Sequence, residues 1–179
     1  KPHIVSVKAS SSQNGNPPEH AFDADPSTKW ATNGNREWIQ FELSRPIELS
    51  EVRIGFQQGT REYRIVIHTL LDGNEWNLNR SFRSNGEGDL IETFRFKPIK
   101  SRAIRIVCNG NSANKWANIH TLALPGIDVR LPRLKRSAAD VASIETKIKQ
   151  KSNTSVETSG PAPLEFSRWS GDVNVPDPV

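Results

Sequence analysis

The chain has 179 residues, 35% hydrophobic and 25% charged, with 24 Lys and Arg against 20 Asp and Glu for a net charge of +4. That length accommodates one well-buried domain with appendages and is short for two domains of typical size. No run of roughly 18 apolar residues offers a membrane span, and the positive surplus is spread over both halves, which excludes the dense basic arm of a strong DNA binder. The only cysteine, Cys108, excludes an intrachain disulfide and a cysteine-based zinc cluster. The opening residues KPHIVSVKAS contain no apolar h-region, so no signal peptide is visible in them.

From His3 to Leu124 apolar residues mostly alternate, punctuated by clusters of Gly, Asn, Asp and Pro, which is the pattern of short antiparallel strands. The predicted strands are Ile4 to Ala9, Glu37 to Leu43, Leu49 to Phe56, Tyr63 to Leu70, Trp76 to Phe82, Leu90 to Phe96, Ala103 to Val107 and Ile119 to Leu124. In WIQFEL the side chains of Ile39, Phe41 and Leu43 share a face, and in YRIVIHT those of Tyr63, Ile65 and Ile67 do. About eight strands without a strong helical period predict an all-β sandwich or jelly roll.

The composition changes after Pro125. The run VRLPRLKR, with Pro132, reads as a basic extended linker over 126–136. Ser137 and Asp140 open a capping-box-like start, and Val141, Ile144 and Ile148 follow at helical spacing, predicting a short amphipathic helix over 137–151. Its apolar stripe suits packing on the sandwich or a following domain, with a membrane-surface helix as the other reading. Residues 152–179 read as a flexible tether that ends in LEFSRWSGDVNVPDPV, apolar enough to begin another domain.

Three polar constellations carry possible chemistry. In AFDADPSTKW, Asp23 and Asp25 stand close to Thr28. Two carboxylates on one turn face each other poorly across a cleft, which disfavours an acid/base pair. A calcium loop and a self-bonded turn both remain open, because hard cations and backbone amides attract the same oxygens. In NGNSANKW, Asn111 and Asn114 offer amide donors and acceptors, and the Trp116 indole is either a rim or core residue or a platform for the C–H face of a sugar. In NGNR and QQGTR, Arg36 and Arg61, with Gln57, are either solvated loop residues or partners for a uronate carboxylate or sulfate. His3, His20, His68 and His120 are scattered singly, and no GxSxG, Walker loop or GxGxxG occurs.

The order ASSSQNGNPPEHAFDADPSTKW, EWIQFEL, LDGNEW and IRIVCNGNSANKWANIHTL resembles a discoidin domain, the coagulation factor V/VIII C-type, and in particular the bacterial versions grouped as carbohydrate-binding module family 32. The resemblance covers residues 1–125. It implies an eight-stranded antiparallel jelly-roll β-sandwich that is noncatalytic, with a structural calcium and a shallow sugar site on rim loops. By that resemblance the calcium ligands are His20 (backbone), Asp23, Asp25 and Thr28. WANIHT places Thr121 where the family carries a Glu, so one anionic ligand is lost and weaker calcium affinity, or a water or monovalent ion in its place, is expected. Gln57 and Gln58 stand where galactose-binding members have an Arg. Arg61 matches a GxxR pattern of a subgroup linked to alginate lyases, which favours an acidic polysaccharide. The unpaired Cys108 fits a bacterial origin, since the animal extracellular forms carry a disulfide.

The expected function is therefore that of a secreted or extracytoplasmic carbohydrate-binding module. It would target an attached polysaccharide-active enzyme to a uronate-containing or sulfated glycan, with Arg36, Gln57, Arg61, Asn111, Asn114 and Trp116 as ligand-binding residues. The alternative is a structural or protein-interaction domain that orients a neighbour, because fold alone does not decide function.

Overall fold

The computed structural model describes residues 1–88, 90–131, 134–136 and 146. Its strands are β1 (His3–Ala9), β2 (Trp30–Asn33), β3 (Glu37–Phe56), β4 (Tyr63–Leu70), β5 (Asn77–Arg83), β6 (Glu92–Asn111), β7 (Trp116–Ala123), β8 (Asp128–Leu131) and β9 (Leu134–Arg136), with a 3-10 helix at Pro18–Phe22. Strand alternation places Ile39, Phe41 and Leu43 of β3 in the core with Tyr63, Ile65 and Ile67 of β4.

The two long strands make the sandwich. Residues Ile39 to Leu43 of β3 pair with β1 on one side, and Glu37 to Glu42 pair with Ala103 to Cys108 of β6 on the other. Further along, Glu51 to Ile54 pair with Glu92 to Arg95 of β6, and Arg53 to Phe56 pair with β7. Register shifts between Glu42 and Ile47, and between Leu49 and Glu51, mark the corner at which both strands pass from one layer to the other. The sequence predicts two strands in each case. The punctuation that suggests a break, Pro46 and Pro98, falls at this corner, where the ladder is already irregular and can spare a donor.

Edge strands complete the layers. The hydrogen-bonded order β5-β4-β6-β3-β1-β8-β9 is joined by β7, which pairs with β2 and β3. Among the described residues all pairings are antiparallel except β1 with β8. Within the stretch read as a linker, β8 and β9 are strands of the sandwich: Ile127, Val129 and Leu131 alternate into the core while the intervening Arg130 faces solvent. The predicted helix over 137–151, apart from Thr146, and the tether over 152–179 lie outside the described residues.

One apolar cluster joins both layers. Phe22, delivered by the Pro18–Phe22 turn, meets Phe41 edge-on at 5.5 Å. Trp30 is fully buried and its Nε1 donates to the Ser11 carbonyl at 3.0 Å, so the indole keeps a partner inside the core. Among the described residues no helix is long and apolar enough to cross a membrane.

Candidate functional site

Loops from three parts of the chain converge at one end of the sandwich. The first joins β3 to β4. Gln57 N donates to the Asn118 carbonyl at 3.1 Å, and a turn closes when Arg61 N donates to the Gln58 carbonyl at 2.9 Å. Ser84 supports the turn from below, its Oγ donating to the Arg61 carbonyl at 3.2 Å and accepting from Tyr63 N at 2.7 Å.

The second loop joins β6 to β7 and is organised by Asn111. Its Nδ2 donates to Asn114 Oδ1 at 2.9 Å and to the Trp116 carbonyl at 3.0 Å. Its Oδ1 accepts from Ala113 N at 2.9 Å and Asn114 N at 3.1 Å. Gly110 enters this loop with φ +76, and a Cβ there would lie 2.5 Å from the Asn114 carbonyl oxygen, so only glycine fits. The third contribution comes from the chain before β2, where Gln13 N donates to the Ala31 carbonyl at 2.7 Å and Lys29 directly precedes the buried Trp30.

Together these loops enclose a cleft of about 320 Å³, lined by Gln57, Gln58 and Arg61 from one side and Asn114, Trp116 and Asn118 from another, with Gln13 and Lys29 closing it. Two cations and a half-buried indole therefore share a wall with five amide side chains, and among the described residues no carboxylate lines it. Such a surface can stack a pyranose ring, hydrogen-bond its hydroxyls and attract an anionic substituent.

Of the predicted ligand-binding residues, the structure brings Gln57, Arg61, Asn114 and Trp116 into the cleft. Asn111 is buried beneath its loop and acts on Asn114 and Trp116 rather than lining the cavity. Arg36 lies elsewhere: it occupies the turn before β3 with φ +57, and its charge acts on His68, whose pKa is lowered by burial first, then by Arg105 and Arg36. Sequence reading passed over Gln13, Lys29 and Asn118. Asn118 was accessible to it, since it sits two residues from Trp116 on one strand. Gln13 and Lys29 arrive only through the tertiary path of the chain.

The 23–28 turn adjoins the cleft through Lys29. Asp23 Oδ1 accepts from Asp25 N at 2.9 Å, and Asp25 Oδ1 accepts from Ser27 N at 2.8 Å and Ser27 Oγ at 2.6 Å. Those Ser27 bonds, hydroxyl first, hold Asp25 below the usual carboxylate range. Thr28 Oγ1 lies 2.6 Å from Asp23 Oδ2 and 3.0 Å from the Asp25 carbonyl oxygen. One hydroxyl proton faces two acceptors there, and three hard oxygens gathered this closely have the donor chemistry of a calcium ligand set. Thr121 brings no anionic oxygen to that set: it is buried on β7 with Oγ1 2.9 Å from His120 Nδ1. Among the described residues no group of three or more His, Cys, Asp or Glu side chains assembles a metal site. Cys108 is buried, which pushes its thiol up to about 12 and leaves it inert at neutral pH.

Residues 6–122 match the F5/8 type C domain. The chain belongs to the F5/8 type C (discoidin) family. Among solved structures, this discoidin domain is similar to the CBM32 of AlyQ in complex with 4,5-unsaturated mannuronic acid, at 31% identity over 69% of this chain and 97% of that one, with a TM-score of 0.65. It is similar also to truncated AlyQ with CBM32 and alginate lyase domains, at 32% identity over 68% of this chain and 31% of that one, with a TM-score of 0.64. A pectin-binding carbohydrate-binding module shares the fold at 24% identity, covering 73% of this chain and 99% of that one with a TM-score of 0.65. No curated protein matches the chain.

Proposed function

We propose that this discoidin domain is a noncatalytic carbohydrate-binding module whose rim cleft takes a uronate-containing or sulfated polysaccharide. The observation that carries this reading is the charge of the cleft: Arg61 and Lys29 line it with Trp116 and amides, and among the described residues no carboxylate opposes them. Trp116 stacks against the C–H face of one sugar, Asn114, Asn118 and the glutamines bond its hydroxyls, and the two cations meet its acid group. The AlyQ module, similar at 31% identity, was solved with an unsaturated mannuronic acid, which supports the acidic class.

The module acts outside the cytoplasm, holding an attached polysaccharide-active enzyme on its substrate and raising the effective concentration of cleavable bonds. The 23–28 turn holds calcium through Asp23, Asp25, Thr28 and the His20 carbonyl, supported by the crowding of Thr28 Oγ1 between two oxygens. The ion supplies rigidity to the turn that presents Lys29.

Titration calorimetry with short oligouronates and with galactose oligosaccharides tests the reading. Uronate binding that weakens with salt is expected, with a tryptophan fluorescence change that is lost in Trp116→Phe. Galactose binding without uronate binding would overturn the acidic assignment, and no glycan binding by the folded domain would leave the structural-domain alternative.

A further inference from the structure

Away from the cleft, the outer face of β1, β3, β6 and β4 carries an ordered polar row. Lys8 stands opposite Gln40, Gln40 opposite Arg105, and Arg105 opposite His68, so the four side chains cross four strands on one face. Gln40 Oε1 accepts from Arg105 Nε at 3.2 Å and Nη2 at 2.8 Å. The guanidinium so held lies 4.5 Å from the ring centre of Trp38 and 4.3 Å from that of Trp76. Trp38 shares the face by strand alternation, whereas Trp76 reaches it from the turn between β4 and β5.

This face differs from ordinary sheet exterior in setting two indoles beside cations on one surface. Both indoles and Arg105 are half-buried rather than packed away, and Lys8 is exposed. Strands spaced about 4.8 Å apart present successive polar groups at roughly the advance of one sugar ring in an extended chain. Lys8 and Arg105 supply the cations of the row itself, with Glu42 one row away and Asp72 and Glu75 in the turn that carries Trp76. The combination of aromatic planes with spaced cations complements an extended, regularly anionic sugar chain.

We propose that this face is a second binding surface for acidic polysaccharide, engaged only by chains long enough to lie across β1, β3, β6 and β4. Carboxylates meet Lys8 and the Arg105 nitrogen that Gln40 does not engage, and sugar rings rest against the parts of Trp38 and Trp76 that Arg105 does not cover. The proposal rests on the acidic-glycan reading of the cleft and extends it to a second, chain-length-dependent site.

The experiment compares the parent with Lys8→Glu, Trp76→Ala, Arg61→Ala and the charge-matched control Lys100→Glu, which alters the corner of the sandwich. Each is tested against an oligouronate too short to span both surfaces, by calorimetry, and against polyuronate, by affinity electrophoresis. Short-ligand binding should fall in Arg61→Ala and stay at the parental level in Lys8→Glu and Trp76→Ala. Polyuronate retention should fall about tenfold or more in Lys8→Glu and Trp76→Ala, through loss of avidity, and stay near parental in Lys100→Glu. Because Trp76→Ala removes a half-buried ring in contact with Arg105, Lys8→Glu carries the test if that variant melts early. Parental polymer retention in Lys8→Glu, or an equal loss in Lys100→Glu, would overturn the second surface while leaving short-ligand binding in the cleft intact. Absence of all uronate binding would remove both readings.

Discussion

Asn111 holds Asn114 from beneath, with Nδ2 donating to Asn114 Oδ1 at 2.9 Å while Oδ1 accepts the Asn114 amide at 3.1 Å. The buried residue thereby sets the position of an exposed one at the cleft. Removing it should loosen the loop without removing a ligand contact. Asn111→Ala is expected to cost about 1–3 kcal/mol of stability, because it leaves buried partners unsatisfied. Glycan affinity should fall with it, and amide exchange should quicken at residues 112–116. Unchanged exchange there would show that Asn111 does not organise the loop.

Arg61 and Arg36 separate cleft from surface. A charge-assisted bond to a uronate contributes about 1.5–3 kcal/mol, so Arg61→Ala should weaken oligouronate binding by at least about tenfold. Arg36→Ala should stay close to the parent, since Arg36 lies outside the cleft. Calorimetry of both variants at two salt concentrations decides the point, and equal losses would contradict the placement.

Calcium should raise thermal stability, by about 2.7 kcal/mol at a hundredfold excess over its Kd. Asp23→Asn retains an oxygen for the Asp25 amide and removes the anion, so it should fold and lose the calcium response. Melting of the parent with chelator and with added calcium is the control. A parent indifferent to both would identify the stretch as a self-bonded turn.

His120 gives the domain an acid-sensitive core. Burial holds its imidazole down to about 4 from an ordinary 6.5, against the opposing bond to the Leu90 carbonyl. Between those values the unfolded chain takes up a proton that the folded state refuses, so stability falls as pH drops from about 6.5 to about 4 and levels below. The loss amounts to about 3 kcal/mol when complete. Urea unfolding across this range should show a shallower decline in His120→Gln than in the parent. Parallel declines would assign the acid sensitivity to other groups.

Much of this was legible in the chain, for reasons that differ by element. Ile39, Phe41 and Leu43, and Tyr63, Ile65 and Ile67, announce their strands because burial of one face imposes a period of two. The join within β3 was not legible, because Pro46 signals an interruption whether the chain ends a strand or bends through a corner. Val129 and Leu131 were masked by their arginine neighbours, although the same alternation places both in the core. The short β2 offers only WATN, and its pairing with β7 supplies the order that its length cannot.

By itself the sequence determined the all-β class, the family and the residue types available for chemistry, because strand periodicity and closely spaced motifs are local properties of the chain. Tertiary structure alone decided that Lys29 joins Arg61 while Arg36 does not. It also decided that Asn111 supports the cleft from below and that Arg105 lies between Trp38 and Trp76. The first and last of these relations join distant segments, whose meeting is set by strand pairing and the packing of the whole core, whereas the Asn111 contacts are local and depend on the burial of that side chain beneath its own loop.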